Sequence, residues 1–85
     1  MSERNVTISS PVGLHARPAA AFVKAVAAAG IPVTVARVGG TPVDARSILA
    51  VLSLSVGQGD QVVVAAEGPT ADSVLDDLAA LLEQE

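Results

Sequence analysis

The chain contains no cysteine, tryptophan or tyrosine, and its one aromatic side chain is Phe22. Without cysteine it has no disulfide, no thiolate zinc site and no thiol redox chemistry. Nine acidic residues against five basic ones, with a single aromatic ring available to stack on bases, disfavour a nucleic-acid partner. A single histidine without cysteine also argues against a transition-metal site, and nothing in the sequence calls for a cofactor.

Long apolar runs are also lacking. No stretch reaches the roughly 18 residues that a membrane-spanning helix requires, and the first residues carry no signal-peptide core. The 85 residues are 51% hydrophobic, which is typical of a folded globule with an aliphatic interior. We therefore expect one domain over residues 1–85, cytoplasmic, monomeric and not inserted into a membrane.

The apolar patterns that are present predict the order β-α-β-β-α-β-α. Val6 and Ile8 alternate, Gly39 and Gly40 form a two-residue hairpin signal, and Pro42 suits an edge strand. The predicted strands cover residues 5–9, 31–38, 41–44 and 61–67, and the predicted helices cover residues 18–29, 46–54 and a final segment after a Thr70 cap. Leucines and valine at positions 74, 75, 78, 81 and 82 give that final helix one apolar stripe.

These elements predict an α+β fold, an open-faced two-layer sandwich. The four-stranded antiparallel sheet carries all three helices on one face, and the continuous apolar run at residues 62–66 suits a central strand. We expect the first and last strands to be neighbours at the centre of the sheet.

The most informative stretch is Gly-Leu-His-Ala-Arg-Pro-Ala-Ala at residues 13–20, which holds the only histidine, His15. Pro18 suits the first turn of a helix, so Arg17 is the expected boundary residue. No good capping side chain stands there, and the first backbone N–H groups of the helix lack an acceptor. These amides, the helix dipole and the Arg17 charge favour a phosphoryl group beside a nucleophilic imidazole.

These eight residues resemble the active-site motif of HPr, the family of histidine-containing phosphocarriers of the bacterial phosphoenolpyruvate–sugar phosphotransferase system. The resemblance implies that His15 accepts the phosphoryl group on Nδ1 from phosphorylated enzyme I and passes it to an enzyme IIA. It implies a carrier rather than an enzyme, with Arg17 and the Ala16 backbone binding the phosphate. Val12 departs from the pattern, since many family members have Ser or Asn there.

The second predicted helix offers a further candidate site. Ser47 is most simply its N-cap. Because Arg46 precedes it, the resemblance also implies a regulatory phosphorylation site served by a serine kinase and phosphatase. Partner docking is expected from Leu14, Ala20, Lys24, Ile48, Leu49 and Leu52, although each apolar member of this set is equally compatible with the core.

Alternatives remain open at the level of sequence. A nitrogen-related branch of the family and a dihydroxyacetone-kinase relay share the motif. A regulatory protein-binding module, in which His15 is incidental, belongs to a different class.

Overall fold

The computed structural model describes residues 2–9 and 16–83, and at positions 16 and 17 it describes the backbone alone. The elements follow the predicted order. The strands are β1 Ser2–Thr7, β2 Val33–Arg37, β3 Val43–Asp44 and β4 Gln61–Ala66, and the helices are α1 Ala16–Ala29, α2 Ile48–Leu52 and α3 Ala71–Glu83. Among these residues, no helix is long and apolar enough to cross a bilayer.

The four strands form one antiparallel sheet in the order β1-β4-β2-β3. The inner position of β4 and the edge position of β3 confirm the prediction. The expectation that β1 lies at the centre is wrong, because β1 pairs with β4 but forms the other edge. Its composition suits an edge strand, since it begins with three consecutive polar residues, Ser2, Glu3 and Arg4.

The core lies between the sheet and the three helices. On β1 and β4, Val6 and Val62 face each other and are both buried. The helices cover this side with Phe22 of α1, Val51 of α2 and the stripe of α3, which is buried at Leu75, Leu78 and Leu82. The predicted α+β sandwich with helices on one face is confirmed, and the alternation of strand side chains explains why only one face is covered.

The turn between β2 and β3 differs from the predicted two-residue hairpin. Gly40 N–H donates to the carbonyl of Arg37 at 2.8 Å, which places Val38 and Gly39 at the centre of the turn. Gly39 has φ +79°, a conformation that glycine adopts without steric cost. The strands pair only from Val35 and Val43 onward, so the connection is longer than the glycine pair suggests.

Two helix boundaries also differ from the prediction. Helix α1 begins at Ala16, so Arg17 lies inside the first turn and is not the boundary residue. Helix α2 covers only Ile48–Leu52 instead of residues 46–54. The end of α1 is as predicted, because Gly30 follows it with φ +71°, in the left-handed region that commonly terminates helices.

Candidate functional site

The N-terminal end of α1 is the centre of the candidate site. Because the helix begins at Ala16, its first backbone N–H groups belong to Ala16, Arg17 and Ala19, while Pro18 has none. The first turn contains no acidic residue to occupy these donors. His15 is the preceding residue in the chain. His15, Leu14 and Val12 lie outside the described residues, and so does the side chain of Arg17.

Helix α1 is fixed to the domain by three side chains on one face. Ala19, Phe22 and Val26 are completely buried and follow the i, i+3, i+7 spacing of a single helical face. Burying a phenylalanine of this kind contributes about 1.5–3 kcal/mol relative to leaving it exposed. The helix start that follows His15 is therefore held by the hydrophobic core within its first two turns.

The opposite face of α1 is smooth and exposed. Ala20 and Lys24, both predicted to contact partners, are exposed, together with Ala21, Ala27 and Ala28. Positions 17 and 24 are seven residues apart, which is close to two full turns, so Arg17 and Lys24 occupy one side of the helix. The structure thus places the predicted basic residue Lys24 on a solvent-facing surface that leads away from the start of α1.

Helix α2 is capped as predicted. The Ser47 Oγ accepts a hydrogen bond from the backbone N–H of Ala50 at 3.2 Å, with Ser47 itself in an extended conformation. Among the predicted docking residues of this helix, Leu49 is 76% exposed, whereas Ile48 and Leu52 are half-buried against the core. Leu49 is therefore the side chain of α2 that is most available to a partner.

Arg46, the basic residue beside Ser47, is engaged by Asp44. The carboxylate of Asp44 accepts from the Arg46 backbone N–H at 2.9 Å and from its guanidinium at 3.4 Å. The hydrogen bond from the Arg46 backbone N–H, and to a smaller extent those from its guanidinium, lower the pKa of Asp44 below its usual value of 3.8.

The position of Arg46 separates the two predicted sites. Its side chain lines a cleft of about 280 Å³ together with residues at the C-terminal end of α1, among them Val26, Gly30 and Pro32. A helix of 14 residues is about 21 Å long. Arg46 is therefore close to the end of α1 that is opposite the residue following His15.

Sequence reasoning missed a cluster of contacts around Arg37. Its guanidinium donates to the carbonyls of Leu54 and Ser55, both at 3.1 Å, and lies 3.8 Å from the Asp60 carboxylate. These acceptors are 17 to 23 positions away in the chain, so no local pattern signals the contacts.

Comparison with known proteins identifies the class. A family model described as "PTS HPr component phosphorylation site" matches residues 2–84. The fold and this match define a phosphocarrier of the phosphotransferase system. The chain belongs to the HPr family.

Individual relatives agree with this assignment. The chain is 45% identical over 84 residues to the phosphocarrier protein HPr of Streptomyces coelicolor, covering 99% of this chain and 90% of that protein. The crystal structure of HPr-C-His from Thermoanaerobacter tengcongensis superimposes on this chain with a TM-score of 0.90 at 36% identity, covering 98% of this chain and 92% of the other. A crystal structure of an HPr dimer from the same organism gives 0.73 at 36% identity, with 98% and 94% covered.

Proposed function

We propose that this phosphocarrier accepts a phosphoryl group on His15 from phosphorylated enzyme I, itself charged by phosphoenolpyruvate, and passes it to enzyme IIA components in sugar uptake. The observation that carries the proposal is the start of α1 at Ala16, directly after the only histidine. Backbone donors and the positive end of the helix dipole then lie next to the nucleophile in the chain.

Each residue has a distinct role in the proposed reaction. In the first transfer, the His15 Nδ1 forms a bond to phosphorus while the bond from phosphorus to enzyme I breaks. In the second transfer, the bond from phosphorus to Nδ1 breaks while a bond to the acceptor group of enzyme IIA forms. The neutral imidazole is the nucleophile, because its unprotonated nitrogen supplies the electron pair for the bond to phosphorus. The backbone N–H groups of Ala16 and Arg17 and the Arg17 guanidinium bind the transferred group. The partner enzymes supply most of the positioning in the transition state.

Partner docking is proposed on the surfaces of α1 and α2. These helices pack against each other, and Ala20, Lys24 and Leu49 are exposed on them. Leu14, Ile48 and Leu52 complete the proposed docking set. The Lys24 charge favours an acidic partner surface, which the net charge of −4 would otherwise repel.

Ser47 is proposed as a regulatory phosphorylation site for a serine kinase and phosphatase. Its Oγ caps α2, and the exposed Leu49 follows two residues later. A phosphate adds about two negative charges, which would weaken the approach of an acidic partner. A Ser47→Asp variant should therefore raise the KM for enzyme I, and an unchanged KM would contradict this role. The proposed setting is a cytoplasmic monomer consisting of one domain.

The test of the central proposal is phosphoryl transfer from enzyme I. The protein is incubated with enzyme I and labelled phosphoenolpyruvate, with His15→Ala as the matched control. We expect one label per chain, stable in base and labile in acid, and none on the variant. If the unmodified protein takes up no label, the binding-module alternative is favoured and the carrier proposal fails. Presenting different IIA-type acceptors to the labelled protein then separates sugar uptake from the nitrogen-related and dihydroxyacetone-kinase branches.

A further inference from the structure

The contacts of Arg37 join three segments that are distant in sequence. Arg37 is the last residue of β2, and its Nη1 donates to the carbonyl oxygens of Leu54 and Ser55 at 3.1 Å each. Its Nη2 lies 3.8 Å from the Asp60 Oδ2. One guanidinium thus contacts both the segment after α2 and the loop before β4. Its planar group can do this because it presents several N–H donors in a fixed geometry.

Ser55 has the conformation that needs such support. Among the described residues it is the one non-glycine residue with a positive φ, at +54°. A side chain makes this left-handed region unfavourable, so it persists where neighbouring contacts enforce it. Arg37 binds the carbonyls on both sides of the strained Ser55 φ and ψ angles, those of Leu54 and Ser55, and so provides contacts of this kind.

The loop that Arg37 contacts also forms hydrogen bonds with Ile8, which directly follows β1. Asp60 accepts from the Gly57 backbone N–H through its carboxylate at 2.9 Å, which closes the loop on itself. The Asp60 carbonyl then accepts from the Ile8 N–H at 2.9 Å, and the Gly59 N–H donates to the Ile8 carbonyl at 2.8 Å. The backbone of Ile8 is therefore bound in both directions by this loop.

Ser9 is held by one side chain and one helix end. Gln58 Nε2 donates to the Ser9 carbonyl at 3.2 Å. The Ser9 N–H donates to the carbonyl of Leu82 in the last turn of α3 at 3.4 Å. In the sequence, Ser9 is six positions before His15, and Ala16 begins α1 directly after it.

We infer that Gln58, Arg37 and Asp60 are positioning residues for phosphoryl transfer at His15. They fix Ile8 and Ser9, from which the chain continues toward the histidine, and the buried face of α1 fixes the chain beyond it. This inference rests on the proposed function. Anchoring both ends of a short segment reduces the conformational freedom that must be lost when the nucleophile is aligned with phosphorus. The expected effect is on the rate within the complex with enzyme I and not on the formation of that complex.

The sharpest test replaces Gln58 by a side chain of similar size without a donor. Gln58→Met is compared with Gln61→Met, which makes the same neutral change at an exposed position on β4, where the amide contacts Thr7. We expect Gln58→Met to lower the maximal rate of transfer from enzyme I by on the order of threefold to fivefold, as the loss of one hydrogen bond implies. The KM for enzyme I should stay within about twofold, and Gln61→Met should match the unchanged protein.

A second pair of variants tests Arg37. Arg37→Met should slow the maximal rate more than Gln58→Met, because it releases the whole loop. Ser55→Gly in that background should recover part of the rate, since glycine adopts the left-handed conformation without support. If Arg37→Met does not fold, Gln58→Met still decides the inference, because it changes one side-chain contact at the surface.

Amide hydrogen exchange separates this inference from the proposed function. We expect faster exchange at residues 8–15 in Gln58→Met than in Gln61→Met, in the absence of any enzyme. If both variants exchange and react alike, or if only the KM changes, the positioning role is wrong. If the unchanged protein accepts no phosphoryl group while exchange responds as expected, the anchoring stands and its assignment to phosphoryl transfer is wrong.

Discussion

Helices α2 and α3 are stabilised in different ways, although both cover the same side of the sheet. Helix α3 has 13 residues, and five of them are buried: Ala71, Leu75, Leu78, Ala79 and Leu82. Helix α2 has five residues, of which only Val51 is buried, and it presents Leu49 to solvent at 76% exposure. A helix as short as α2 is marginal by itself, so it depends on the Ser47 cap and on contacts beyond its ends. Helix α3 therefore contributes mainly to the hydrophobic core, whereas α2 mainly presents side chains to solvent.

The charges of the two regions differ as well. The exposed face of α3 carries Asp72, Asp76, Asp77 and Glu83, with Arg4 of β1 paired to Asp76. Lys24 lies instead on α1, and Arg46, which is paired with Asp44, lies two residues before the start of α2. On the proposed docking surface of α1 and α2, Lys24 would therefore attract an acidic partner that the α3 side repels. Lys24 and the exposed apolar side chain of Leu49 both lie on this α1–α2 side.

The largest expected effect is on the folding contribution of α3. Leu78 is 1% exposed, and Leu78→Ala should lower the free energy of unfolding by about 2–5 kcal/mol, through lost burial and the cavity left behind. Urea denaturation measures this. Leu81→Ala, at a half-buried position of the same helix, should cost clearly less, and equal losses would contradict the packing described for α3.

A smaller effect is expected at the cap of α2. Ser47→Ala removes the acceptor of the Ala50 N–H and should cost about 0.5–2 kcal/mol in the free energy of unfolding. The matched control is Ser73→Ala, at an exposed position of α3, where we expect a change within about 0.5 kcal/mol. If the two alanine variants are equally stable by urea denaturation, α2 does not depend on its cap.

At the exposed position of α2, stability and docking should separate. Leu49→Ala should change the free energy of unfolding by no more than about 0.5 kcal/mol, because the side chain is mostly in solvent. We expect it to raise the KM for enzyme I by about fivefold, as the loss of an apolar contact at an interface can do. Val38→Ala alters another exposed apolar residue, 58% exposed in the β2–β3 turn, and should leave the KM unchanged. Equal KM values for both variants would place the docking surface elsewhere.

The smallest expected effect concerns Asp44 and depends on pH. Hydrogen bonds from Arg46 lower the Asp44 pKa below 3.8, so the carboxylate stabilises the fold above about pH 4. This contribution is lost as the pH falls through the lowered pKa. Asp44→Asn should therefore be slightly less stable at pH 7, and the difference should vanish in urea denaturation near pH 2. A difference that grows on acidification would reverse the sign of this linkage.

Local patterns predicted most of the fold. The stripe of α3, the Ser47 cap and the edge position implied by Pro42 each depend on residues a few positions apart, and all three are confirmed. The pairing of β1 with β4 was predicted and is confirmed. The edge position of β1 was missed because it depends on β4 taking β2 as its second neighbour, a long-range pairing that no local pattern shows. The glycine pair predicted the wrong turn because the Gly40 N–H donates to the carbonyl of Arg37, which puts Val38 and Gly39 at the centre of the turn instead of the two glycines.

In the candidate site, too, features set by neighbouring residues were predicted, and features set by long-range contacts were not. The helix that follows His15 was predicted from Pro18 and the alanine run, although its start is two residues earlier than expected. The roles of His15, Arg17 and Ser47 stay predictions. The contacts of Arg37 and Gln58 could not be anticipated, since Gln58 meets Ser9 across 49 positions of the chain.

The alanines on the exposed face of α1 have a consequence for how partners would bind and dissociate. Ala20, Ala21, Ala27 and Ala28 have no side-chain rotamers to immobilise, so a partner that docks as proposed orders long side chains on this face only at positions such as Lys24. Small side chains also offer a docked partner few deep contacts, which would favour fast dissociation from the proposed surface. Donor and acceptor proteins of different shape could then use the proposed surface in turn, because the four alanines present no side chain that has to be rearranged between them.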